Sequence, residues 1–419
     1  MINRAMLTLV HTFDYDPGRA ASVGTTAVLS DHDRDDFLPY VGNFFTNTAS
    51  GSAVRSLTVM GGMLKVRLKP SSDGAETISS DGGKIYLMAD NVGILTLSFQ
   101  FGAIEETAYA EIQRALCRLD RINTAQISQV GADSGWQDIG TYYRSLVAAV
   151  LPRVDGQRDP FNPFNRSGVV SSSILAVSSS YPDMPAFIES LLLNRKFTGG
   201  EPGTFLSDSI KRVRQSESVE SFGNSTGVVY LCRDNGSEFS RSGVFGTYGK
   251  NYLLIFLITV YQQVRIHALI EKSSQIIAPS RSKAAIKELK DEIITYLART
   301  DFTQISHNPA RNLLYKFFRN NFEVRELLDE VATIVKKIDQ EIEAEKAHIH
   351  AEKAHKGEII ALILEVLILP YYLHHILELV LKYCSHDEHF IHEAAFWGTI
   401  GATMAVIVGI QVLLRVFRK

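Results

Sequence analysis

The sequence predicts an α+β or α/β cytosolic domain, a long α-helical stalk and a two-helix transmembrane hairpin at the carboxy end. Three observations carry this. Runs rich in β-branched and aromatic residues, bounded by Gly, Asp and Ser, alternate with helical patterns over residues 1–250. An amphipathic pattern in threes and fours then joins Val324, Leu328, Val331, Val335, Ile338, Ile342 and Ile349. Finally, Ile359–Leu381 and Ala394–Phe417 are each long enough to cross a bilayer, which takes ~20 mostly apolar residues.

The chain opens on "MINRAMLTLVHTFDYD", which has no long apolar core and no small-residue cleavage site, so it reads as a first strand and not as a signal peptide. "SLTVMGGMLKVRL", "KIYLMADNVGILTLSFQF" and "GVVYLCR" read as further strands. "IEETAYAEIQRALCRLDRI" and "WQDIGTYYRSLVAAVL" carry helical spacing. "SSSILAVSSSYP" reads as a Ser-rich stretch inside the domain, and "SDSIKRVRQSESVESFGNSTG" as a polar, mobile loop. The span 1–250 is thus expected to be a ligand-binding or regulatory domain.

Residues 251–356 turn helical. "NYLLIFLITVYQQVRIHALIEKSSQII" has a long apolar run, but Gln262, Gln263 and Arg265 cut it short of a span, so a buried helix is expected. "SRSKAAIKELKDEIITYLART" follows, and Pro309 in "ISHNPARNLLYKFF" marks another helix start. If helical from Glu323 to Lys356, the stalk is about 50 Å long at ~1.5 Å per residue. It ends in the near-repeat "AEKAHIH", "AEKAHKG" and runs directly into the first apolar segment, with Gly357 as its weak point.

The membrane part divides into a first span, 357–382, an outer loop, 383–393, and a second span with a basic end, 394–419. Lys346, Lys353 and Lys356 precede the hairpin and Arg415, Arg418 and Lys419 follow it, whereas the link holds Lys382 beside Asp387, Glu388 and Glu393. The positive-inside rule then puts both termini in the cytoplasm and the loop outside, in a multi-pass protein. Phe396 and Trp397 stand where an interfacial anchor belongs.

Composition narrows the function. A formal charge of −3 with 45% apolar residues gives no one-sign field, so no long nucleic acid is expected as a partner. Cys117, Cys232 and Cys384 are odd in number and widely spaced, which fits a reduced compartment. "GVFGTYGKN" lacks the first Gly and the Ser or Thr of a phosphate-binding loop, and neither a nucleophile elbow nor a zinc-protease motif occurs. No catalytic residue is therefore assigned, and no enzyme is expected.

The long stalk entering the membrane, the Leu369-Pro370 step in the first span, the short outer loop and the basic end together resemble the CorA-type divalent-cation transporters and channels. The likeness covers roughly Leu327–Lys419 and is architectural before that. It implies a homo-oligomer, with a pentamer the first guess, whose first membrane helix lines a pore. One departure stands out: the family's Gly-Met-Asn signature is absent, and its place reads "ILELVLKY". Magnesium selectivity is therefore not implied.

Ionisable residues inside a span are costly and usually face a pore or a partner, which singles out Glu358, Glu365, His374, His375 and Glu378, with Glu365 the deepest. Around an oligomer axis Asp387, Glu388, His389, His392 and Glu393 would concentrate cations at the outer mouth. His386, His389 and His392 repeat every third residue and are weak candidates for a Zn²⁺ or Ni²⁺ set, the one divalent-cation site the sequence suggests. Gly401, Ala405 and Gly409 form a small-residue stripe for helix packing in the second span.

The expected function is an oligomeric, membrane-embedded cation channel or transporter controlled by its cytosolic domain. By analogy with CorA-like membrane effectors of bacterial antiviral systems, a small nucleotide is a candidate gating ligand and antiviral defence a candidate role. The rival readings are a housekeeping transporter of Mg²⁺, Zn²⁺ or Ni²⁺, and a binding protein merely tethered to the bilayer.

Overall fold

The computed structural model describes residues 2–21, 23, 26–27, 36–46, 54–60, 63–68, 75–117, 125–129, 135–148, 150, 170–178, 184–195, 197, 208–276, 283–384, 396–398, 400–401, 403–404, 406–407 and 409. The chain divides into two compact units, Met1–Ile334 and Val335–Lys419.

Among the described residues the first unit carries twelve strands: β1 (Ile2–Asp14), β2 (Thr26–Ala27), β3 (Arg55–Met60), β4 (Leu64–Leu68), β5 (Ala75–Leu87), β6 (Val92–Phe101), β7 (Ala125–Gln129), β8 (Gln137–Asp138), β9 (Val170–Val177), β10 (Lys211–Arg214), β11 (Val219–Asn224) and β12 (Gly227–Arg233). They join as β10-β11-β12-β9-β1-β6-β5-β4-β7-β8, with β3 on β5 and β2 on β3. The sheet is mixed: β9 and β12 run parallel, the other described pairs antiparallel. This bears out an α+β class in its coarse form.

β1 lies at the centre, where Ala5 faces Phe101 of β6 on one side and Leu175 of β9 on the other. Successive strand side chains point to opposite faces. From Ala5 to Phe13 β1 is buried, so both faces of the sheet are covered there, with Thr8, His11 and Thr12 set among the apolar residues. The β5–β6 turn needs two left-handed residues, and Asp90 (φ 55°) and Asn91 (φ 64°) supply them, as in a type I′ hairpin. Within β5, Gly82 at φ 100° sits at a register shift, where the strand leaves β4 for β3.

One face of the sheet is covered by α3 (Glu106–Cys117) and α5 (Met184–Leu192), in a unit that also holds α1 (Pro17–Ala20), α2 (Pro39–Thr46) and α4 (Ile139–Val147). Tyr109, Leu116, Phe187 and Leu191 join Leu7, Leu9, Phe99 and Leu231 in one apolar core. The other face carries α6 (Val244–Thr247), α7 (Leu253–Ile276), α8 (Lys283–Thr300) and α9 (Pro309–Asn321). A chain of aromatic contacts links that layer to the sheet: Tyr230–Tyr248 at 5.3 Å, Tyr230–Phe318 at 6.3 Å and Phe256–Phe318 at 5.4 Å between ring centroids. α9 begins as its sequence requires, with the Asn308 side chain accepting from the Ala310 amide at 2.9 Å and Pro309 in the first turn.

Three expectations change. The sequence sets a boundary near residue 250, yet the first unit runs to Ile334, because α7 and α9 bury their apolar residues in the same fold as the sheet. The Ser-rich stretch supplies β9, fully buried: Ser173 accepts from Tyr109 at 2.9 Å and donates to Gln113 at 3.2 Å, so its hydroxyl is satisfied away from water. The polar segment 207–227 is not a loop but the β10–β11 pair, in which Arg212 meets Glu220 at 2.8 Å across the strands.

α10 (Val324–Cys384) begins in the first unit and supplies most of the described residues of the second. It is uninterrupted through Gly357 and Pro370. Of the stalk seam, Val324, Val331 and Ile338 are already buried and only Ile349 is exposed. The described residues between Phe396 and Gly409 are helical; the predicted loop from 385 to 393 lies outside the described residues.

Candidate functional site

In the second unit the continuity of α10 fixes which ionisable residues share a side. Glu358 and Glu365 are seven apart and fall roughly 20° from one another around the axis. Both are exposed, and Glu365 has no ion-pair partner among the described residues. His355 Nδ1 approaches Glu358 Oε2 at 3.9 Å. Further along, His375 Nδ1 stands 3.8 Å from Glu378 Oε2 and stacks on Tyr371, while His374 is half-buried. The expected pore residues therefore form two groups, Glu358 with Glu365 and His375 with Glu378, rather than one line.

The apolar side chains around them are open. Ile359, Ile360, Leu364, Leu373, Ile376 and Leu379 are all exposed, Ile376 to 62%, and together they occupy every side of the helix. Trp397 and Met404 are equally bare, at 63% and 62%. Gly401 and Gly409 are helical, and a Cβ at either would meet nothing within 4 Å; Ala405 lies outside the described residues. So do Asp387, Glu388, His389, His392 and Glu393, and with them the metal set His386, His389 and His392. Among the described residues no group of three or more His, Cys, Asp or Glu is placed to hold a metal.

One described helix has the length and composition to cross a membrane, Leu253–Gln275, and it is mostly buried. It is the helix the sequence assigns to a core.

Among the described residues, the cavities of the first unit include three of functional interest. One of about 820 Å³ lies beside the β5–β6 turn, where Arg265 Nε stands 3.3 Å from Asp90 Oδ2, the same guanidinium bonds Glu292, and Lys272 Nζ reaches Glu292 at 2.5 Å. Burial alone would raise the Glu292 pKa, but the bonds from Lys272 and Arg265 outweigh it and hold the carboxyl below its ordinary value. These charges satisfy one another, a mainly structural role. A second cavity, about 430 Å³, has Thr8, bonded to Ser98 at 3.0 Å, and Lys84 on the sheet, and Arg4 lies 4.4 Å over the Phe245 ring. Its helical wall includes Tyr248, which opens one of two π-turns flanking α6.

The third cavity, about 830 Å³, lies at the root of α10. Asn321, the last residue of α9, is 3% exposed and lines it, and neither its amide nitrogen nor its oxygen has a hydrogen-bond partner among the described residues. A buried polar group left unmatched costs about 1–3 kcal/mol. Around it stand Gln263 and His267 of α7, Lys211 of β10, Asn224 of the β11–β12 turn, and Glu323. Burial lowers the His267 pKa, opposed by the carboxylates of Glu330 and Glu323. Glu323 takes φ 53°, an uncommon conformation for a residue other than Gly. These residues come from separate elements, so no motif announces them; the one local trace is the Asn320–Asn321 pair where two helices meet.

No protein-family model matches the chain, and no curated protein matches it.

Proposed function

We propose that the chain is an oligomeric ion channel or transporter of CorA-like architecture, set in a bacterial inner membrane with both termini cytoplasmic, that passes cations under control of its first unit. The observation that carries this reading is the exposure of large apolar side chains on all sides of α10 from Ile359 to Val380. A helix with apolar side chains all round belongs in a protein core or in lipid, and among the described residues these side chains are left exposed. Carboxylates on such a helix are costly against lipid and favourable in a wet pore shared between copies, which is the place assigned to Glu365. The fold of the first unit, with its sizeable cavities, supports a ligand-responsive role, since a ligand shifts a pore only by binding its open and closed forms differently.

The test is current through planar bilayers containing the purified full chain. Glu365→Gln keeps shape and removes charge, so cation current falls or changes selectivity while the oligomer stays intact on sizing. A monomeric wild-type particle, or no current from an oligomer with any ligand tried, would favour the tethered binding protein instead.

A further inference from the structure

We infer that the cavity at the root of α10 binds a nucleoside monophosphate, its base edge on Asn321 and its phosphate toward Lys211. The ligand assignment deepens the proposed gating role and rests on it for its purpose, though not for the binding itself.

The argument begins with Asn321. Its carboxamide presents one donor group and one acceptor side by side, is 3% exposed, and finds no partner for either among the described residues. Buried polar groups are nearly always paired, so an unpaired amide lining a cavity calls for a ligand with the reverse pattern. A planar edge with neighbouring donor and acceptor has it, and the base edge of adenine is a well-fitting example for Asn. The amide lies over Gly223, where an added Cβ would collide with the Asn321 nitrogen, so the absence of a side chain there leaves the amide its room.

The rest of the wall fits the remainder of such a molecule. Lys211 Nζ donates to the Asn320 carbonyl at 2.5 Å, which leaves an ammonium anchored at the rim with further N–H groups for an anion. Thr226 and Asn224, cross-linked at 2.8 Å and both bonded to the Leu192 carbonyl, fix one side of the wall, Leu192 and Val264 supply its apolar part, and the carboxylates of Asp208 and Glu323 confine an anion to the Lys211 side. A volume of about 830 Å³ lies within the ~300–1,000 Å³ range of small-molecule sites.

The position gives the site a purpose. Asn321, Phe322 and Glu323 alone connect α9 to α10, and the Glu323 carbonyl accepts the first-turn bond from Leu327 at 3.0 Å. A ligand that engages Asn321 and lies beside Glu323 therefore acts on the residues that set how α10 begins. The left-handed backbone at Glu323 is a conformation that ligand contact can favour or relax.

The experiment is calorimetric titration and thermal melting of the detergent-solubilised full chain with AMP, GMP, CMP and UMP, with adenosine and inorganic phosphate as fragments. At least one monophosphate should bind and raise the melting temperature, more tightly than either fragment. Asn321→Leu should weaken that binding at least tenfold while the unliganded protein melts no lower than wild type, because the unpaired amide is gone. Lys211→Gln should weaken the monophosphate and leave adenosine unaffected. No binding by any of the four, or binding that Asn321→Leu leaves unchanged, overturns the assignment. The readout involves no current, so a binding protein that conducts nothing would defeat the channel reading alone, and a conducting protein that binds none of the probes would defeat this inference alone.

Discussion

The phenolic oxygen of Tyr261 donates to Asp90 Oδ2 across 2.9 Å, tying the middle of α7 to the tip of the β5–β6 hairpin. The ring is buried, and the neighbouring Arg265 guanidinium balances the carboxylate. Tyr261→Phe should therefore lower stability by about 1.5–3 kcal/mol, the range for hydrogen bonds to charged groups. Chemical denaturation would read it; a loss below a few tenths of a kcal/mol would show that Arg265 alone holds Asp90.

Glu292 makes acid stability depend on pH. Its folded carboxyl releases its proton more readily than the unfolded one, despite burial, because Lys272 and Arg265 bond the charged form. The stabilisation is present above the unfolded value of about 4.3 and is lost as pH falls through the lower folded value. Melting temperatures between pH 7 and pH 3 should fall less steeply for Glu292→Gln than for wild type. Parallel curves would rule the group out.

Gly223 and Asn321 should behave as a coupled pair. Gly223→Ala drives a methyl into the Asn321 amide and should destabilise by ~1–3 kcal/mol, the usual range for overpacking. In the double variant with Asn321→Ala the clash is absent, so the two losses should not add. Additive losses in a denaturation cycle would mean that the strand shifts to accommodate the methyl.

Topology is testable with thiols, but not by comparing the natural cysteines alone. Cys117 and Cys232 are buried, and burial raises both thiol pKa values, that of Cys117 to about 12, so neither should react on either side of a membrane. A fair cytoplasmic reporter is Ser216→Cys, at an exposed position after β10. In intact cells an impermeant maleimide should label Cys384 and spare the reporter until the membrane is opened. Labelling of the reporter first would invert the proposed orientation.

How much of this could be read from the sequence depended on the range over which each signal acts. The strand character around the β5–β6 turn, β12 and the start of α9 were legible, because β-branched runs and a Pro at a helix start are properties of neighbours in the chain, whereas the turn at Asp90 and Asn91 was passed over. β9 was not legible. Its serines look like surface until Tyr109 and Gln113 of α3 arrive to bond them, and that information lies some sixty residues away. The β10–β11 pair was hidden by the same polar bias. The pore candidates were found from charge within apolar runs, but their division into two groups needed a continuous helix through Pro370. Asn321 was missed because its meaning lies in a bond it does not make.

β1 has a further consequence, for the order in which the molecule is made. The strand that sits between β6 and β9 is synthesised before either of them, and both of its edges stay open until residues 92–101 and 170–177 follow. Pairings so distant in sequence form slowly, so the nascent chain carries an unpaired apolar strand through much of its synthesis and needs shielding from neighbours during that time. The last helix to cover the sheet ends at Asn321, before the bare apolar stretch from Ile359 begins. Chain order thus lets the sheet close before the most aggregation-prone surface is exposed, and a circular permutant that begins at α10 should give far less soluble or insertable protein than the natural order.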